Sequence, residues 1–149
     1  RKRKENSDFI SRKTCTIMLE NKDYCDYETC VALKELGYKG MSRYYYTHRD
    51  HKLHYDTYNK FYTVRTADAM GYVLAIHLYE AQKWLREEKN IDISVTISPF
   101  EYFATIREFV FWRGEYSWKT PPIYPNGAKT YEEALFEGIK EAVKILKER

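Results

Sequence analysis

An α+β fold is predicted, and three observations carry the prediction. Ile91 to Ile97 alternates apolar and polar residues without a break, the mark of a half-buried strand. Tyr102 to Trp112 follows as a second long, aromatic, β-prone run. From Tyr131 onward, apolar residues recur at helical spacing behind a capping signal. With a helix pattern before them and a third strand between, the C-terminal part reads α-β-β-β-α. That order gives a two-layer unit with two helices on one face of an antiparallel sheet. A helix and an aromatic β-hairpin precede it.

Taken in order, residues 1–13 are polar and basic and read as a flexible lead-in. Thr14 to Leu19 is short and β-prone, a candidate first strand. Asp26 then offers a carboxylate N-cap and Gly37 a C-terminal stop for a helix whose apolar stripe is Cys30, Leu33 and Leu36, helped by Tyr27. Arg43 to Thr47 and Leu53 to Tyr58 are aromatic runs flanking a polar segment, a β-hairpin with its loop near Arg49 to His51. Phe61 to Val64 adds a strand or an extended bridge. Thr66 is the expected N-cap of a short helix from Ala67 to Leu74, and a second helix runs from Leu78 to Lys89 with Leu78, Ala81 and Leu85 on one face and Asn90 as its stop. Ile91, Ile93, Val95 and Ile97 should share the buried side of the next strand. Pro99 and Gly114 allow the turns that follow, and Glu115 to Thr120 begins the third strand. Pro121, Pro122, Pro125, Asn126 and Gly127 form a loop. The last helix opens on Thr130 with Glu133 three residues on. It carries Leu135, Ile139, Ala142, Val143 and Leu146, and Gly138 on the same stripe lets it approach the sheet closely. The organisation is a basic lead-in (1–13) and one α+β domain (14–149), divided into a helix-plus-hairpin part (14–65) and an α-β-β-β-α part (66–149).

Composition sets the function classes. The chain has 149 residues, of which 44% are hydrophobic and 32% charged, a globular balance. No apolar run reaches the roughly 18 residues of a membrane helix, so no membrane association is expected. The net charge is +3, and Arg1, Lys2, Arg3 and Lys4 account for it: the rest holds 21 basic and 22 acidic residues. A neutral body is poor material for a dedicated nucleic-acid binder, although the tail could meet phosphates. The three cysteines, Cys15, Cys25 and Cys30, form neither a CxxC pair nor an even disulfide set, so they read as reduced thiols of a cytoplasmic protein. No cofactor-binding motif is present: the chain lacks a P-loop, GxGxxG, GxSxG and HExxH.

Two resemblances bear on context. The α-β-β-β-α order resembles that of double-stranded-RNA-binding domains, yet those need lysines where the last helix here opens with Tyr131, Glu132 and Glu133, which repel phosphate. The segments DYETCVALKELGY (26–38), YYY (44–46), TADAMGYVL (66–74), EAQKWLREEKNIDI (80–93) and YEEALFEGIKEAVKIL (131–146) resemble, in this order, a group of small uncharacterised proteins common in phages and mobile elements of gut Bacteroidetes-type bacteria. The resemblance spans roughly residues 25 to 147. It implies an accessory role in such an element and assigns no activity or catalytic residue.

Two residue sets carry candidate chemistry. His48, His51 and His54 recur every third residue beside Asp50 and Asp56, a donor set for a metal or catalytic site; in a hairpin loop all three would be exposed instead. The chain has fifteen tyrosines, of which Tyr44, Tyr45, Tyr46, Tyr55, Tyr58 and Tyr62 cluster in the hairpin region, while Tyr102 and Tyr116 join other rings in the later sheet. Tyr44, Tyr45, Tyr46, Tyr55, Trp112 and Trp118 are the interface candidates, since Tyr and Trp anchor protein contacts. Exposed rings on a sheet also stack nucleobases, and rings in a core or in cross-strand pairs merely stabilise it. Arg107, Glu108, Arg113 and Glu115 are expected to form cross-strand ion pairs. The expected function is a small non-catalytic protein-interaction module, with self-association as one version. Its rivals are a nucleic-acid or nucleotide binder using the tyrosines and the basic tail, and an enzyme or metal site at the histidines.

Overall fold

The computed structural model describes residues 22–149 except 57 and 59. The basic lead-in, Cys15 and the strand expected at 14–19 lie outside the described residues. The described chain is mixed α+β with antiparallel sheets. Its described residues divide into two compact units, residues 22–31 with 39–76, and residues 32–38 with 77–149, so the division falls within the first helix, after Tyr38 and after Ile76.

That helix, α1 (Tyr27–Glu35), begins as the sequence reading expects: the Asp26 carboxylate accepts from the Thr29 N–H at 2.8 Å. Gly37 takes a φ of 104°, which few other residues tolerate. In the first unit β1 (Met41–Ser42) pairs with β4 (Tyr62–Thr63), and β2 (Tyr44–Thr47) pairs with both β3 (Leu53–Tyr55) and β5 (Tyr72–Leu74). The short helix α2 (Val64–Ala69) differs from the expectation at both ends. Its N-cap is Thr63, with Thr66 completing a reciprocal capping box at the third helical position, and it stops at Met70. Gly71 follows at a φ of 75°, and Tyr72–Leu74 turns into a strand because its aromatic and β-branched residues find hydrogen-bonding partners on β2.

The interior of this unit is tied to two cysteines. Cys25 N–H donates to the Ile76 carbonyl at 2.9 Å, and Ile76 N–H donates to the Cys30 sulfur at 3.4 Å. The Tyr46 hydroxyl and the Cys30 thiol both donate to the Cys25 carbonyl. Both cysteines are free thiols and fully buried.

The second unit is the expected α-β-β-β-α: α3 (Leu78–Lys89), β6 (Ile91–Ile97), β7 (Tyr102–Trp112), β8 (Glu115–Trp118) and α4 (Tyr131–Lys147). The sheet order is β6-β7-β8; α4 packs on β6 and β7, and α3 packs on β6 and α4. The His77 ring caps α3 by accepting from the Tyr79 N–H, and Asn90 ends it in the left-handed conformation, φ 57°. The Thr130 hydroxyl caps α4 by accepting from the Glu133 N–H at 3.2 Å.

The alternation of β6 is buried only in part. Ile91 and Ile93 are sealed, Val95 is half-buried and Ile97 is 67% exposed, because the strand runs on past its helical cover. The proline-rich segment is not a free loop. Ile123 and Ala128 form bridges to Ile106 and Tyr102, so the chain after β8 returns along the same edge of β7. The expected ion pairs of β7 are also rearranged. Glu108, only 8% exposed, meets Lys119 at 3.6 Å and the Arg149 guanidinium, whereas Arg107 and Arg113 lie against Trp118 and Trp112.

Gly138 sets the spacing between the layers. A methyl group there would stand 2.7 Å from Ile93 Cγ2 and 3.0 Å from Ala104 Cβ. Gly138→Ala is therefore expected to lower stability by about 1–3 kcal/mol by overpacking, despite the better helix propensity of alanine. Chemical denaturation checks this, and an unchanged midpoint would show that the layers yield without cost.

Candidate functional site

Two regions carry the residues singled out in the sequence, one in each unit. In the hairpin, the register sets Tyr44 against Tyr55, Tyr45 against His54 and Tyr46 against Leu53. Alternation then separates the rings. Tyr46 points inward and is 6% exposed, so it is a core residue and not the interface residue expected of it. Tyr45 lies on the other face, half-buried and stacked on Tyr72 at 4.1 Å, with Tyr62 edge-on at 5.5 Å. Tyr44 and Tyr55 pair with each other at 5.5 Å, and Arg43 covers Tyr55 with its guanidinium, 4.9 Å from the ring. The hairpin tyrosines thus largely satisfy one another.

The three histidines do not converge. The Tyr27 hydroxyl and His48 Nδ1 are 2.8 Å apart, and His51 stacks on the same tyrosine at 3.7 Å. His54 turns away to Asp50, Nε2 to Oδ2 3.0 Å. Among the described residues, no three His, Cys, Asp or Glu side chains stand close enough to share a metal ion. Two tyrosine hydroxyls here are weak acids: burial, with Tyr72 beside it, pushes Tyr45 up to about 12, and the hydrogen bond to Asp56 pushes Tyr62 up to about 12. Both remain protonated at neutral pH.

The second region is the distal end of β7 with β8. Arg113 and Gly114 make a two-residue turn with positive φ at both positions, 50° and 80°, the geometry that suits a tight twisted hairpin. Every residue from Val110 to Lys119 is exposed. The pair forms a two-stranded ribbon beyond the helical layer of its unit. The register places Phe109 opposite Trp118 and Phe111 opposite Tyr116, so these four rings share the face away from α3 and α4. Phe111 and Tyr116 are 4.8 Å apart, and Phe109 meets Tyr116 edge-on at 5.5 Å. Arg107 stacks on Trp118 at 4.9 Å. Trp112 lies on the opposite face, also past the helices, and is 70% exposed.

A cleft of about 580 Å³ opens at the base of this ribbon, lined by Arg86, Glu87 and Asn90 at the end of α3, Asp92 of β6, Phe109 of β7, and Tyr116, Ser117 and Trp118 of β8. Of the expected interface residues, Trp112 and Trp118 are therefore on an open surface, while Tyr44, Tyr45 and Tyr55 are engaged within the hairpin. Phe111 and Tyr116 belong with the open pair. The strand alternation that faces Phe111 with Tyr116 was their only sequence signal. The cleft had none, because it joins a helix end to a strand nearly thirty residues on.

Asp50 provides a pH probe of the hairpin loop. Against a burial penalty, hydrogen bonds from the Thr47 hydroxyl, the Lys52 N–H and His54 hold its carboxyl at about 2, below the ordinary 3.8. A depressed carboxyl stabilises the fold above its unfolded value, and this contribution is lost as pH falls from about 4 toward about 2. Acid titration of the hairpin amides by NMR should show loosening in that window, and Asp50→Asn should abolish that component. A wild-type profile identical to the variant's would count against the loop bonds. Comparison with known proteins gives no matching family model, no matching curated protein and no matching solved structure.

Proposed function

We propose that the chain is a non-catalytic protein-interaction module whose contact surface is the aromatic β7–β8 ribbon. One observation carries the reading: Phe111, Trp112, Tyr116 and Trp118 are 60%, 70%, 72% and 53% exposed on one short ribbon. Single exposed rings are ordinary, but four together form the kind of patch that marks a contact site. Tyrosine and tryptophan dominate binding energy at protein interfaces because they bury much area for little lost side-chain freedom. β8 is also an edge strand, and its outer backbone can accept a further strand from a partner or a second copy. The hairpin of the first unit supports this role less well, since its rings are spent on one another. The phage or mobile-element setting implied by the resemblance remains the context of this proposal.

A second reading draws on Arg107 and Arg113, whose guanidinium groups flank Trp118 and Trp112. Cations beside exposed rings are the parts of a single-strand stacking platform. Placing a photo-crosslinking phenylalanine at position 112, with position 144 on α4 as the control, separates the two in cells. Protein adducts at 112 and not at 144 are expected; RNA or DNA adducts, lost at high salt, would move the conclusion to nucleic acid. Trp112→Ala should weaken the protein contact at least tenfold while changing stability by no more than about 0.5 kcal/mol. A large stability loss would make that ring structural.

A further inference from the structure

The cleft at the end of α3 contains two carboxylates with no ion-pair partner among the described residues. Asp92 stands directly across from Arg107 in the β6–β7 register, where a salt bridge would be natural. Arg107 instead lays its guanidinium on Trp118, and its Nε is buried without a hydrogen bond. Among the described residues, Asp92 accepts only the neutral hydroxyl of Ser94, at 2.9 Å. Glu87, on the last turn of α3, likewise forms no ion pair with the described residues.

The surroundings add to this negative character. α3 ends at the cleft, so the negative end of its dipole lies beside it. Phe109, Tyr116 and Trp118 supply ring faces, which attract cations. Arg86 is the one basic group among the lining residues, and Arg107, opposite Asp92, reaches one of the lining rings, Trp118. A phosphate or other anion would meet both carboxylates and the helix end. An apolar group would strip water from them without return.

We propose that this cleft receives a guanidinium, the side chain of an arginine on the protein partner. A guanidinium is flat, so it stacks on a ring while its N–H groups fork onto a carboxylate; an ammonium does only the second. The fold already uses this stacking, with Arg107 on Trp118 and Arg43 on Tyr55, each 4.9 Å from the ring centre. The inference rests on the ribbon being a protein-contact surface, and it names the chemistry that surface selects.

The probe is N-acetyl-arginine methylamide, titrated into the full chain while the indole N–H of Trp118 is followed by NMR, with its resonance assigned through Trp118→Phe. The neutral citrulline analogue and guanosine monophosphate are run alongside. A saturable shift with a dissociation constant on the order of 1 mM is expected for the arginine compound. The citrulline analogue should bind at least tenfold more weakly, and Asp92→Asn and Glu87→Gln should each weaken arginine binding at least threefold. Equal binding of citrulline, preferred binding of the nucleotide, or wild-type affinity in both variants would overturn the proposal. Because the ligand comparison uses the unaltered chain, a variant that folds poorly does not decide it. Position 112 lies outside the cleft, so crosslinking there judges the ribbon separately. Protein adducts at 112 without arginine preference would refute the cleft assignment alone, whereas arginine selectivity without adducts would refute the ribbon reading and keep the guanidinium site.

Discussion

Glu108 marks the place where the core of the second unit ends. It is a carboxylate at 8% exposure, and an unpaired charge there would be costly. Lys119, just after β8, and Arg149, just after α4, both reach it. On the helix side of β7, the residues before it, Ala104 and Ile106, are sealed, and those after it, Val110 and Trp112, are exposed. The cause is length. Eleven strand residues extend about 36 Å, whereas the seventeen residues of α4 span about 25 Å. The sheet must outrun its cover, and Glu108 with its two cations closes the boundary.

What lies beyond that boundary follows from it. A two-stranded ribbon with no layer behind it needs stabilisation of its own. Here cross-strand rings and a positive-φ turn supply it. The same rings are then open on their outer sides, so the device that holds the ribbon together is also what a partner would meet. The cleft arises where the ribbon leaves the sheet beside the end of α3. Its polarity is set by Arg107 choosing a ring over the carboxylate opposite. Contact surface and charge preference are thus both products of a strand that continues past its helices.

Much of this second unit was legible in residues 78–149, because its signals are local. Thr130 and Asn90 punctuate their helices, β6 alternates, and Gly138 interrupts an apolar stripe where only a close approach explains it. The errors were of one kind. The segment at 66–74 has the composition of a helix, but Gly71 and the pairing of Tyr72–Leu74 with β2 depend on chain some 25 residues earlier. Tyr46 could be assigned a face by alternation, but not which face the rest of the unit covers. The partners of Glu108 and the clipping of Ile123 onto β7 are likewise set by tertiary pairing. Of the candidate site, Trp112 and Trp118 were legible as exposed rings; the cleft was not, since no local pattern encodes where a helix end meets a ribbon.

The cysteine pair of the first unit has a further consequence. Both sulfurs are inaccessible, and the Cys25 thiol is held well above its ordinary value by its bond with Cys30 and by burial. Thiol reagents attack the thiolate, so neither sulfur reacts while the surrounding chain is closed. The Tyr46 and Ile76 hydrogen bonds that meet at these residues must break before either can be labelled. Alkylation of Cys25 and Cys30 therefore gauges the breathing of this unit: when reclosing outpaces labelling, its rate reports the fraction of molecules in which the unit stands open.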